Sequence, residues 1–272
     1  MIRKVVSLLL GALAVPQAAQ AEADNAGTDD TWMVYDRAGV NGHPLVVVAR
    51  TGNAEAESLL REGLVTGVSC RAAAGNVNEN GMPQGTDRIY ALEDRLLGAR
   101  TLVEAGGMHV ASVTGDGQRR MFYVHRDPVD LGAIVSAMPV AGFACDVCAV
   151  TDRQSLIALV TPTALERQLN GDQSVIASLQ KQGDDGHAPR KTNFWFYGDK
   201  QSLASLSVYL KPRGFTVDHT LKDPAGVVLS REMAVDLTEF RSITPVLVDA
   251  VGRFGVEYDG WETFVVRPIS AP

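Results

Sequence analysis

The sequence predicts an α+β protein built from two units that share one order of elements, strand, helix, strand, strand, helix, strand. Three observations carry this. From Leu64 to Asp152, short β-branched and aromatic runs alternate with stretches of helical spacing. The same alternation starts again at Phe194 and runs to Arg267. A polar, glycine-containing segment from Gly183 to Arg190 separates the two and reads as a linker. A chain of 272 residues, 46% hydrophobic and 21% charged, is long enough to bury a core in each unit.

The first 21 residues read as a cleavable signal peptide. Arg3 and Lys4 form the basic start, Val5 to Val15 the apolar core, and Ala19-Gln20-Ala21 the small-x-small cleavage pattern. Removing them takes two cations, so the net charge of −7 becomes (25 − 2) − 32 = −9. No later stretch is apolar for long enough to span a bilayer, so an exported, periplasmic or secreted protein is expected, with no membrane contact after cleavage. Such an acidic chain is a poor match to a phosphate backbone, and direct nucleic-acid binding is not expected.

Residues 22–30 are small, polar and acidic and read as a disordered lead-in. Trp32 to Tyr35 and Leu45 to Arg50 flank Asn41-Gly42-His43-Pro44 and predict a hairpin. Gly52 to Glu62 is a polar loop or short helix. Leu64 to Ala74 predicts a strand, and Asp87 to Glu104 a helix stopped by Gly106-Gly107. Two strands follow around Gly115-Asp116-Gly117, then a helix opened by Asp127-Pro128 and a strand from Phe143 to Asp152. This order is that of a ferredoxin-like βαββαβ unit, an antiparallel sheet with helices on one face. The N-terminal α+β domain is thus expected over residues 31–160, with a helix and linker over 161–190.

The second unit, residues 191–272, repeats the order. Phe194 to Tyr197 is its first strand, and Leu203, Leu206 and Leu210 mark its first helix. Phe215 to Leu221 and Val227 to Met233 are the middle strands. Asp236-Leu237-Thr238-Glu239 is a capping-box-like start to a stripe of Phe240, Ile243, Leu247, Val251 and Phe254. Pro245 interrupts that stripe, so the helix either kinks or restarts with Thr244 as a new cap. Near the end, Asp259-Gly260 reads as a tight turn feeding a strand that carries Phe264, Val265 and Val266. Glu257, Tyr258, Asp259, Trp261 and Glu262 put two aromatics and three carboxylates together, which points to a protein-binding surface as readily as to packing.

Candidates for chemistry are few. Cys145-Asp146-Val147-Cys148 has the spacing of a redox dithiol, but its flanks predict a strand, on which residues three apart face opposite ways. The fourth strand of such a sheet lies beside the first, so Cys70 is expected to reach Cys145 or Cys148. A disulfide to either one, three free thiols, or a working redox pair all remain open at this level. Three cysteines supply no fourth zinc ligand, so no metal is expected. His43, His109, His125, His187 and His219 are scattered and form no local nucleophile motif. Neither a catalytic residue nor a cofactor is therefore assigned.

In the second unit, Asn193-Phe194-Trp195-Phe196-Tyr197-Gly198-Asp199, Gly214-Phe215, Leu229 to Met233 and Glu257 to Glu262 resemble the family of regulators of ribonuclease E activity, type B. The resemblance implies a ferredoxin-like, non-enzymatic unit that acts by binding the ribonuclease. In the first unit, Asn80-Gly81-Met82-Pro83, Leu92-Glu93-Asp94, Phe122-Tyr123 and the run from Lys181 to Arg190 resemble a domain family of unknown function, DUF695, often fused to it. Export separates this chain from a cytoplasmic ribonuclease, so the implied partner becomes an unidentified protein outside the cytosol. Two alternatives stand beside this reading: a periplasmic thiol-redox protein using Cys145 and Cys148, and a cytoplasmic ribonuclease E regulator whose translation starts at Met33. Oligomeric state is not legible.

Overall fold

The computed structural model describes residues 31–39 and 42–267; the expected leader and lead-in lie outside them. β1 (Thr31–Ala38) and β2 (Pro44–Thr51) form the expected hairpin, and alternation turns Met33 and Tyr35 inward while Val34 is exposed. α1 (Ala54–Glu62) follows, capped by the Asn53 side chain on Ala56 N. Then come β3 (Leu64–Ala72), α2 (Asp87–Leu97), α3 (Arg100–Glu104), β4 (Met108–Gly115), β5 (Gln118–His125), α4 (Gly132–Ala137), β6 (Phe143–Ala149) and α5 (Arg153–Val160). The six strands pair antiparallel in the order β1-β2-β4-β5-β3-β6.

Helices cover both faces of this sheet, not one as expected. Ile89, Leu92 and Leu96 of α2 pack with Leu131 and Val135 on Val68, Cys70, Met121 and Tyr123. On the opposite face, Ala56 and Leu60 of α1 and Leu156 and Val160 of α5 pack on Val47, Ala49, Val113, Phe122 and Val124. The physical reason is the hairpin: β1 and β2 widen the sheet and extend a second apolar face that must also be buried. The continuous helix expected over Asp87 to Glu104 breaks at Gly98-Ala99 into α2 and α3. The helix opened at Asp127-Pro128 shrinks to α4, and α5 was not anticipated.

The second sheet is β10-β7-β9-β8, built from β7 (Arg190–Tyr197), β8 (Thr216–Lys222), β9 (Ala225–Met233) and β10 (Glu257–Glu262), all antiparallel. α7 (Lys200–Leu210) and α8 (Leu237–Phe254) pack on one face of it. α6 (Ala164–Lys181) joins them there. Its capping box, Thr163 with Glu166, starts the helix, and Ile176 and Leu179 enter the same core as Phe194, Phe196, Leu206, Phe240 and Leu247. The stretch expected as helix and linker is therefore anchored to the C-terminal unit. Within it, Asp184 accepts hydrogen bonds from the buried Arg190 guanidinium at 3.1 Å, Gly186 N and Val266 N. Burial acts to raise the Asp184 pKa, but these donors outweigh it and hold it below the usual carboxylate value.

α8 runs through Pro245 without a restart. Thr244 does not cap a second helix because its hydroxyl is donated elsewhere, as described below. The final strand also differs from expectation: Phe264 and Val265 are exposed and outside any strand.

Cys70 and Cys145 lie directly opposite across β3 and β6, Cα atoms 4.0 Å apart, and their sulfurs are bonded. The bond ties residues 75 positions apart, so its reduction should lower the unfolding free energy by about 2–4 kcal/mol. Urea melts with and without reductant measure this, and coincident midpoints would contradict it.

Candidate protein-binding surface

β10 begins where Gly255, in the left-handed conformation, stops α8. Its ladder with β7 runs Glu257 to Tyr197 and Tyr258 to Phe196, then skips Asp259 and resumes with Gly260 opposite Trp195. Asp259-Gly260 is thus a bulge inside the strand and not a turn before it. Gly260 has φ +117°, which other residues adopt only with strain. The extra residue brings Tyr258 and Trp261, three apart in sequence, to the same inner face. Without it they would face opposite ways.

Both aromatics are consequently committed to packing. The Tyr258 ring stacks on Phe196 at 5.0 Å and the Trp261 ring on Phe240 at 4.4 Å. Trp261 Nε1 donates to Asp172 Oδ1 at 2.8 Å. Asp172, on α6, also accepts from Gln168 Nε2 at 3.0 Å and from Thr244 Oγ1 at 2.7 Å. One buried carboxylate therefore joins α6, α8 and β10. Burial raises its pKa, against the three donors that act to lower it. Burial, and secondarily Asp172, also pushes up the Tyr258 hydroxyl, which has no hydrogen-bond partner among the described residues.

The remaining members of the predicted surface, Glu257, Asp259 and Glu262, lie toward the other face. They meet the outward residues of β7. On β7, Phe194 and Phe196 enter the core while Trp195 and Tyr197 alternate outward. Glu257 is opposite Tyr197, and Glu262 is opposite Asn193, whose Nδ2 donates to it at 3.4 Å. Trp195 pairs with Val228 and touches the His219 ring edge at 5.8 Å. Val228 is fully buried outside the helix-side core, beneath these side chains. Burial raises the Tyr197 pKa, followed by the charges of Asp259 and Glu257, so its hydroxyl sits within their field. The helix-free face therefore presents Trp195, Tyr197 and His219 beside three carboxylates. Period-two alternation in Phe194 to Tyr197 was the signal that could have found it.

One histidine, His109, joins a cluster of polar side chains. His109, Ser112, Glu93 and Arg119 converge in the first unit, with Ser112 Oγ donating to Glu93 Oε1 at 2.9 Å and Arg119 paired to Glu93 at 2.9 Å. His109 Nε2 meets the Ala111 carbonyl at 2.9 Å and Ser112 Oγ at 3.0 Å. The carbonyl requires a proton on Nε2, so that nitrogen cannot take one from Ser112. Burial lowers the His109 pKa and keeps the ring neutral. The group is a buried polar network beneath Trp32, whose ring lies 5.2 Å from His109.

Cys145 and Cys148 are not brought together. Cys145 is bonded on the α2 side, and Cys148 is exposed, opposite Gly67. Burial raises the Cys148 pKa, against the opposing effect of Arg120, so its thiolate is disfavoured. Among the described residues no group of three or more His, Cys, Asp or Glu could hold a metal ion, and no helix is long and apolar enough to cross a membrane.

A family model described as Regulator of ribonuclease activity B matches residues 170–263. That is the similarity. The match opens inside α6 and closes just after β10, so it takes in Asp172, Thr244 and Trp261 together with both faces of the second sheet. The match does not reach the first unit. No curated protein gives a significant match.

Raised by burial, the Asp172 pKa means that folding favours the protonated carboxyl. Its contribution is fully present below the ordinary carboxylate value and is lost as pH rises through the folded pKa. Asp172→Ala removes the acceptor for Trp261 and Thr244 and should cost about 2–4 kcal/mol, while flattening that acid-side slope. Urea midpoints measured from pH 4 to pH 7 test both; an unchanged slope would remove Asp172 as its source.

Proposed function

We propose that this protein is an exported, non-catalytic binding protein whose C-terminal ferredoxin-like unit recognises another protein through its helix-free sheet face. The observation that carries the reading is the division of β10: Tyr258 and Trp261 hold the core, while Glu257, Asp259 and Glu262 flank the outward Trp195 and Tyr197. The similarity to regulators of ribonuclease activity supports a role in binding without catalysis. Both sheets contain the strand order of a ferredoxin-like unit, which supports reading the chain as two such units, the first widened by a hairpin.

The leader pattern of residues 1–21 and the Cys70–Cys145 bond support an oxidising compartment. A start at Met33 would delete Trp32, the ring that covers His109, and is disfavoured for that reason. In this reading the partner is not the cytoplasmic ribonuclease, and the first unit, which carries the DUF695-like motifs, supports the second by the Arg37–Glu166 ion pair at 2.8 Å.

A photo-crosslinking residue at Trp195 or Glu262, in the protein expressed in its own cells, should trap one discrete protein adduct. The same residue at Lys200, on the helix side, should not. Mass spectrometry of the adduct also reads the mature N-terminus, expected at Glu22. Absence of any adduct from the outer face, or equal trapping from Lys200, would overturn the proposal.

A further inference from the structure

We infer that the segment occupying the helix-free face is cationic, an extended arginine- or lysine-bearing stretch of the partner. This rests on the protein-binding reading above and adds the partner's chemistry to it. The charge on the face is lopsided. At the β8 side, Lys191 and His219 are both held by Asp218, His219 at 2.9 Å, and the exposed Glu232 lies opposite Lys191, so the carboxylates there have a cation beside them. At the β10 side, Glu257, Asp259 and Glu262 have no ion-pair partner among the described residues. The carboxylates elsewhere in the fold are often engaged: Glu93, Glu166, Asp184 and Glu239 each hold an arginine.

The three unpaired carboxylates lie next to two outward aromatic rings. Guanidinium and ammonium groups are attracted to the faces of Trp and Tyr as well as to carboxylates, and a cation placed between Tyr197 and Glu257 would meet both. An anionic segment would face uncompensated repulsion at the same place. A purely apolar one would strip water from three carboxylates without replacing it. The partly exposed rings of Trp195 and Tyr197 supply apolar contact for the stems of long cationic side chains. Each exposed ion pair is weak alone, so recognition depends on several acting together and falls steeply with salt.

The test uses the mature chain and a synthetic seven-residue peptide alternating arginine and alanine, which in extended form presents its arginines on one side. Indole N–H signals from Trp32, Trp195 and Trp261 report the position of binding, with Trp195→Phe assigning the middle one. The expected result is a saturable shift of the Trp195 signal that weakens with salt. Affinity should fall at least tenfold in Glu257→Gln/Asp259→Asn/Glu262→Gln and change less than twofold in Glu62→Gln/Glu79→Gln/Asp146→Asn, which removes the same charge elsewhere. Equal losses in the two variants, no shift at Trp195, or equal binding of a glutamate–alanine peptide would overturn the inference. A crosslinked partner whose contact segment is acidic or neutral would also overturn it, while leaving the protein-binding reading standing.

Discussion

The second unit depends on one buried carboxylate. Asp172 accepts from Trp261, Thr244 and Gln168, and so fixes a helix that precedes the sheet, the long helix after it and the last strand relative to one another. A charge at 1% exposure is costly unless its lone pairs are used, and here three donors use them. The same arrangement explains why Pro245 is tolerated. The preceding Thr244 is anchored by its side chain, so the missing backbone donor does not release the helix.

The bulge at Asp259-Gly260 is the geometric counterpart of that carboxylate. It re-aims Trp261 into the core so that it can reach Asp172, and leaves Asp259 unpaired at the sheet edge. Bulges also blunt an edge strand against indiscriminate pairing. The consequence for function is a separation of labour across one sheet. One face is filled by α6, α7 and α8. The other keeps two aromatic rings and three carboxylates open to solvent or to a partner.

Much of the architecture was legible because alternation and helical spacing are strong signals here. The strand order in each unit follows from the order of elements, and so does the strand of Cys70 lying beside that of Cys145 and Cys148, while the choice of Cys145 comes from the register. What was not legible depended on tertiary context. The two-sided covering of the first sheet arises from the β1–β2 hairpin, whose reach a local pattern does not report. Asp259-Gly260 has the same composition as a turn, and only the partner strand makes it a bulge. Trp261 was grouped with its acidic neighbours because Asp172 lies 89 residues away. The polar run after α6 looked like a free linker, yet Asp184 and Arg190 bury an ion pair within it. Glu93, His109, Ser112 and Arg119 were unrecognised as a network for the same reason: they come from α2, β4 and β5.

Under the proposed function Trp261 is a structural residue and Trp195 an interaction residue, although both belong to the stretch that resembles ribonuclease regulators. The most direct measurement is the unfolding free energy of Trp261→Phe, which keeps a ring against Phe240 and removes only the indole donor to Asp172. The account predicts a loss of about 1–3 kcal/mol with the outer face still able to bind. Unchanged stability together with lost binding would contradict it, and would put Trp261 at the interface instead.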